Sequence, residues 1–174
     1  MLKIPQPRIF CLKNTSIGVL LVAKSQRGIC NIALGESREQ LLKEFTARFS
    51  HVQQVKDDGT FKREVAHIVA MIETPKLAKK YDFPLDINGT VFQKKVWTQL
   101  CEVSCGETIS YKALAQHIDM PNAFRAVANA CARNELALII PCHRVVCKNG
   151  LISGYRWGAW RKKILLQREK NGGI

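Results

Sequence analysis

Along the first third of the chain, apolar positions come in short runs. Arg8 to Lys13, Ile17 to Ala23 and Gly28 to Leu34 are apolar, β-branched stretches parted by Asn14-Thr15-Ser16 and Lys24-Ser25-Gln26-Arg27, which predicts a small antiparallel sheet. The period then changes. Ser37-Arg38-Glu39-Gln40 has capping-box spacing, and Leu41, Leu42, Phe45 and Phe49 follow as one face of a helix. A second helix near 61–73 puts Phe61, Val65, Ile68, Val69 and Ile72 on one side and stops before Pro75.

From Thr74 to Asn88 the periodicity lapses into Pro75, the Lys79-Lys80 pair and Pro84, which places a boundary near Asp86 between an N-terminal domain, 1–86, and a C-terminal one, 87–174. Thr90-Val91-Phe92-Gln93 is another capping box, with Val91, Phe92, Val96, Trp97 and Leu100 as the buried face of a helix ending near Cys105-Gly106. Ser110 can cap a helix bearing Leu114, Ala115 and Ile118, Asp119-Met120-Pro121 breaks it, and Asn122 can cap the next helix to about Arg133. Two short helices around a tight turn suggest a helix-turn-helix, a spacing also shared by helical hairpins that bind nothing. Leu136 to Ile140 reads as a buried strand, Asn149-Gly150 as a turn, and 159–170 as a last helix with Trp160, Ile164 and Leu165 inward, closed by Gly172-Gly173. The fold class expected is α/β (α+β): a small antiparallel sheet with helices, then a mainly helical domain like a winged helix-turn-helix.

The length of 174 residues allows one large domain or two small ones. No apolar run of about 18 residues is present, which argues against a membrane span, and Met1-Leu2-Lys3-Ile4-Pro5 lacks the pattern of a secretory signal, so a cytoplasmic location is expected. Seven cysteines, at 11, 30, 101, 105, 131, 142 and 147, are odd in number, scattered and never in a C-x-x-C pair, which argues against a disulfide framework. Cys11, Cys30, Cys101 and Cys131 read as small buried hydrophobes, and zinc at Cys11 and Cys30 lacks a second pair of ligands, so no metal is assigned. The net charge of +13 fits a polyanionic partner, and also a merely soluble basic surface. Residues 88–174 carry 13 Lys and Arg against 5 Asp and Glu, and residues 1–87 carry 14 against 9, so the second half is the more basic.

The chemistry concentrates in Pro141-Cys142-His143-Arg144-Val145-Val146. A thiolate is the best side-chain nucleophile for a soft carbon, but at a pKa near 8.5 only about 3% of a cysteine is thiolate at pH 7, against about 90% at a pKa near 6. An imidazole that takes the proton, directly or through water, can close that gap. Adjacent residues in an extended segment point to opposite faces, so Cys142 and His143 need a turn or a bridging water. Arg144 after the pair favours an anion. This much describes a reactive thiol and names no substrate.

Ile140-Pro141-Cys142-His143-Arg144-Val145-Val146 resembles the signature of the methylated-DNA-protein-cysteine methyltransferases, the O6-alkylguanine-DNA alkyltransferases. The resemblance covers residues 88–174, through Thr108-Ile109-Ser110-Tyr111, Arg125-Ala126-Val127, Asn134 and Gly154-Tyr155-Arg156-Trp157-Gly158; residues 8–87, with Pro84-Leu85-Asp86, look like the family's more variable N-terminal domain. It implies that Cys142 takes the alkyl group of O6-methylguanine, with O4-methylthymine a further substrate, and is spent in doing so. His143 would be the base through a water, Glu169 would orient it, and Tyr111 would donate to the guanine ring as charge develops there. Asn134 would tie the helix-turn-helix to the active-site segment. The base must leave the duplex: Arg125 would fill the vacated space while Ala126, Ala128 and Ala130 lie along the minor groove.

The same resemblance implies a base pocket made by Cys142, Val145, Tyr155, Arg156 and Trp157. Trp157 stands where some members carry glycine, which predicts a tighter pocket favouring methyl over large aryl-alkyl adducts. The partner implied is double-stranded DNA read with low sequence specificity, by a monomer able to sit beside other copies, and no cofactor is implied. Taken singly, Tyr111 also fits a core aromatic, Arg125 a phosphate clamp, Glu169 a solvated helix charge and Asn134 a C-cap. A winged-helix regulator with a structural Cys142 and a Cys-His thiol hydrolase remain as readings that chemistry must separate.

Overall fold

The computed structural model of the chain describes residues 8–55, 59–78 and 80–171; Met1 to Pro5, Lys79 and Gly172-Gly173 lie outside them. The protein is a mixed α/β fold. Its N-terminal half is a four-stranded sheet in the order β3-β2-β1-β4, from β1 (Arg8–Thr15), β2 (Gly18–Ser25), β3 (Gly28–Gly35) and β4 (Val52–Gln54). The first three pair antiparallel, as the apolar runs predict. β4 runs parallel to β1 and makes the sheet mixed; its Val-Gln-Gln sequence has no alternation to announce it.

Both faces of the sheet are covered, which is why β2 is apolar without a break. Phe10, Leu12, Val19 and Leu21 pack with Leu41 and Phe45 of α1 (Arg38–Arg48) on one face. Cys11, Leu20, Val22 and Ile32 point the other way, toward Val65 and Ile68 of α2 (Gly59–Glu73) and on into the C-terminal half at Val96 and Leu136, as one continuous core. Ser37 caps α1 by accepting from the Gln40 amide, but the Gln40 side chain bonds Glu36 N–H, so the reciprocal half of that box lands one residue early.

The C-terminal half contains α3 (Val91–Cys101), β5 (Ile109–Ser110), α4 (Tyr111–His117), α5 (Phe124–Ala132), β6 (Val145–Val146) and α6 (Ala159–Asn171). The Thr90 capping box is complete. α3 stops at Cys101, short of Cys105-Gly106, because Glu102 and Val103 bond back three residues and turn the chain toward α6, where Gly106 N–H meets Glu169. Val91 is 88% exposed and does not join Val96, Trp97 and Leu100 inside. Asp119, in the left-handed region at φ 60, makes the break after α4. Ala123 donates its N–H to Met120 and occupies the cap of α5, so Asn122 does not serve as the cap.

Three further expectations give way. Leu136 to Ile140 is buried but is not a strand: only Leu136 bridges to Ile32, and the chain then coils through Leu138 at φ 72, with Ile140 N–H bonding back to Leu136. Trp160 is 44% exposed; the buried face of α6 is Arg161, Lys162, Leu165 and Glu169. Cys101 is likewise exposed, not a buried hydrophobe.

Contacts to backbone carbonyls bind the sheet to the segment before α3 and to α6. β3 begins at Gly28, φ 143, and a Cβ there would stand 2.2 Å from Pro84 O, so this approach excludes any side chain. Buried Arg161 reaches across from α6: its Nε donates to Ile17 O at 2.7 Å, its Nη1 to Trp157 O at 2.7 Å, and its Nη2 pairs with Glu36 at 2.9 Å. Replacing Arg161 with Met leaves two buried carbonyls without donors. The expected loss of stability is about 2–4 kcal/mol, read from urea unfolding of the two proteins; equal midpoints and slopes would show that the bridge is idle.

Candidate active site

Asn134, fully buried at the end of α5, organises the segment that follows it. Its Oδ1 accepts from Leu136 N–H at 2.8 Å, and its Nδ2 donates to Ile140 O at 2.9 Å, more weakly to Leu136 O at 3.4 Å, and to Cys142 Sγ at 3.2 Å. Its own carbonyl accepts from Arg156 at 2.6 Å. The coil of 136–140 is thus wrapped around one amide, and that amide also holds the sulfur.

Cys142, His143 and Arg144 form a single 3₁₀ turn. Successive side chains of such a turn diverge by about 120°, so the required turn is present and the two residues still face different neighbours. The Cys142 thiol, 5% exposed, borders a cavity of about 320 Å³ lined by Tyr111, Ala128, Cys131, Ala132, Gly154, Tyr155 and Arg156. His143 turns toward α6, where its Nε2 meets Glu169 Oε1 at 2.7 Å. Arg144 does not face the sulfur. Its Nε and Nη2 grip the two Glu169 oxygens, each at 2.9 Å, and its Nη1 donates to Val103 O at 2.6 Å. The expected help of this cation to a thiolate is spent on the carboxylate.

Burial tends to raise the Glu169 carboxyl, but the hydrogen bonds and charges of His143 and Arg144 outweigh it and hold the pKa at about 2. An ionised Glu169 only accepts, so His143 Nε2 carries the proton and Nδ1 is left as a lone pair. That Nδ1 is buried with no hydrogen-bond partner among the described residues. Burial also lowers the His143 pKa, which keeps the ring neutral and able to take a proton. The thiol departs from expectation: burial pushes Cys142 up to about 11, over the opposing pull of the Asn134 amide and the Lys162 charge. The resting site holds a protonated thiol and a neutral base, not a standing thiolate.

Of the remaining residues named from sequence, Tyr155 and Arg156 line the cavity, whereas Val145 and Trp157 do not. Trp157 lies behind, its ring centroid 5.2 Å from that of Tyr155. Arg125 and Ala126 are exposed on α5, but Ala130 is 2% exposed and accepts from Trp97 Nε1 through its carbonyl. Three residues after buried Val127, it shares the inward face and cannot touch a partner. The same helix supplies Ala128, Cys131 and Ala132 to the cavity.

Sequence reading misses Lys162 and Ser153. Lys162 is 0% exposed, with Nζ bonded to Val145 O at 2.5 Å and Ser153 Oγ at 2.8 Å, and Ser153 Oγ meets Tyr111 OH at 2.8 Å. The available signal was helical spacing, since Lys162 precedes Leu165 by three and Glu169 by seven. Among the described residues no three His, Cys, Asp or Glu side chains converge to hold a metal ion, and no helix is long and apolar enough to cross a membrane.

Comparison with known proteins adds a family. The model of the 6-O-methylguanine DNA methyltransferase, DNA binding domain, matches residues 91–171. The chain is 37% identical over 158 residues to the methylated-DNA-protein-cysteine methyltransferase of Methanosarcina barkeri, covering 91% of this chain and 94% of that one. It is 48% identical over 160 residues to the regulatory protein ada of Salmonella typhimurium, of which it spans 45% of the length. Among solved structures, Mycobacterium tuberculosis OGT in complex with DNA superposes with a TM-score of 0.79 at 32% identity, covering 95% of this chain and 94% of that one.

Two measurements check the electrostatics. With a thiol pKa of about 11, alkylation of Cys142 by iodoacetamide in the free protein should rise about tenfold per pH unit from 7 to 9; a plateau near neutrality, followed by mass analysis of the Cys142 peptide, would contradict it. The Glu169 carboxyl is lower folded than unfolded, so its contribution to stability is complete above about pH 4.5 and disappears as pH falls through about 2. Glu169→Gln should therefore lose about 3 kcal/mol at neutral pH and show a flatter decline in stability between pH 4.5 and 2, measured by denaturant titration at each pH.

Proposed function

The chain belongs to the family of the methylated-DNA-protein-cysteine methyltransferases, and on that footing we propose that it repairs alkylated DNA by moving the alkyl group of O6-methylguanine onto Cys142, once per molecule. The observation that carries this reading is the Cys142 thiol set at a cavity beside Tyr111 and followed in sequence by a buried imidazole with a free Nδ1. Such a site offers a nucleophile, a proton acceptor and a donor for the leaving group.

In the proposed reaction His143 Nδ1 takes the Cys142 proton, directly or through one water, and becomes imidazolium against the Glu169 carboxylate at 2.7 Å. Sulfur attacks the methyl carbon, the carbon–O6 bond breaks, and its electron pair passes into the purine. Tyr111 donates to the ring as that charge develops. The sum is a thiol and O6-methylguanine becoming a thioether and guanine. Asn134, donating to Sγ at 3.2 Å, favours the anion as it forms. O4-methylthymine, carrying its alkyl group on an analogous oxygen, belongs to the same proposal.

Double-stranded DNA is the partner in this reading. A target base inside a duplex must be turned out, at a cost of a few kcal/mol, and Arg125 would enter the space it leaves; its exposure on α5 next to exposed Ala126 supports this. The reading includes action as a monomer with room for other copies alongside, a cytoplasmic location, and a division of labour between residues 1–86 and the alkyl-accepting 87–174. The family match over 91–171 supports that division.

The test is stoichiometric. Incubation with duplex DNA carrying one O6-methylguanine should add about 14 Da, one methylene, to the Cys142 peptide and restore one guanine per protein molecule; Cys142→Ala should restore none. An unmodified peptide in a protein that still binds the DNA would favour a regulator. Many guanines per protein would favour a turnover enzyme.

A further inference from the structure

A lysine with no exposed surface is expensive to keep charged, and Lys162 is surrounded by neutral oxygens: Val145 O at 2.5 Å, Ser153 Oγ at 2.8 Å and Gly154 O at 3.5 Å. No carboxylate is among these partners, so the ammonium is not there as half of an ion pair. Its three acceptors match its three N–H donors, and one of them leads to the cavity.

The direction of that chain follows from the donor inventory. An ammonium can only donate, so Ser153 Oγ accepts from Lys162 and must spend its own proton elsewhere. Two oxygens are in reach: Tyr111 OH at 2.8 Å, and Val145 O at 3.4 Å, which already receives the closer Lys162 donor. The Tyr111 oxygen, 0.6 Å closer than that carbonyl, is the better acceptor for the Ser153 proton. Once that oxygen accepts, the phenol proton has to point away from Ser153, and Tyr111 lines the cavity that holds Cys142.

We propose that Lys162 and Ser153 are positioning residues for Tyr111, committing its phenol to donate into the cavity toward the departing purine and setting a positive charge behind it. The inference rests on the proposed alkyl transfer. Neither Lys162 nor Ser153 touches the base; both act through one hydroxyl. Without the Lys162 donor, the Tyr111 phenol could turn its proton onto Ser153 and present only a lone pair to the purine as its electron density rises; without Ser153, nothing holds the phenol proton toward the purine. The Lys162 charge also acts on Cys142, so a test must separate leaving-group assistance from thiol activation.

Ser153→Ala removes the link while leaving Lys162 its two carbonyls. With O6-methylguanine DNA the single-turnover rate constant should fall roughly tenfold to a hundredfold, the scale of one misdirected donor at developing charge, with unchanged DNA affinity. Alkylation of Cys142 by iodoacetamide, whose iodide leaves without a proton, should proceed at the wild-type rate. Ser153→Thr, which restores the hydroxyl, should recover transfer. Burial raises the Tyr111 phenol and the Ser153 hydrogen bond opposes that rise, so the Tyr111 pKa, read by NMR of a ring-labelled tyrosine, should rise further in Ser153→Ala.

Wild-type transfer rates in Ser153→Ala, or equal losses with DNA and iodoacetamide, would overturn the positioning role while leaving alkyl transfer intact. Absence of transfer in the wild-type protein would overturn both.

Discussion

The site depends on the side chain of Asn134. Fully buried, it satisfies the coil of 136–140 from inside and ends on the sulfur of Cys142. A buried amide left without partners costs on the order of a few kcal/mol, so the coil, the end of α5 and the thiol have one arrangement that answers all its bonds. In the proposed reaction this ties the helix that meets DNA to the nucleophile by a single rigid group, so that docking of α5 and alignment of the sulfur are one event.

Around that amide the charges are arranged so that the reagent is quiet until used. Glu169 is ionised and saturated by His143, Arg144 and Gly106 N–H, which fixes the imidazole tautomer and leaves its base nitrogen inward. Arg144 is drawn to the carboxylate and not to the thiol, so the thiol stays protonated in its closed surroundings. If Cys142 is consumed by its first reaction, as proposed, resting protonation is protective: a standing thiolate would meet adventitious electrophiles first. The cost falls on the reaction itself, which has to move the proton when the base occupies the cavity.

The first three strands, the break after α4 and the Cys-His pair were legible in the sequence, each for a local reason: apolar runs, a turn at Asp119, and a motif of consecutive residues; Glu169, 26 positions from His143, came only with the family resemblance. What escaped depended on phase or on distant partners. Ala126 and Ala130 look alike in sequence and lie only about 40° apart around the helix, yet Ala126 is exposed and Ala130 is covered where Trp97 bonds its carbonyl. The 136–140 run reads as a strand because its hydrogen bonds go to a side chain, Asn134, and no periodicity reveals that. In α6 hydrophobicity pointed the wrong way, since its inward face carries Arg161, Lys162 and Glu169 while Trp160 sits outside. A buried charge such as Arg161, with a partner 144 positions away, has no local signal for that partner.

Arg161 and Gly28 share one device: each packs against a backbone carbonyl of the N-terminal half. Arg161 grips the carbonyl of Ile17, and the close approach at Gly28 is made to the carbonyl of Pro84. A carbonyl is present whatever residue stands at its position. Ile17 can drift to another apolar residue, and the strands around it can change surface character, without loosening the helix that carries Lys162 and Glu169. The sheet is therefore free to diverge in letters while remaining bound in shape, and comparisons of sequence will understate how firmly the first half is built into the chemistry of the second.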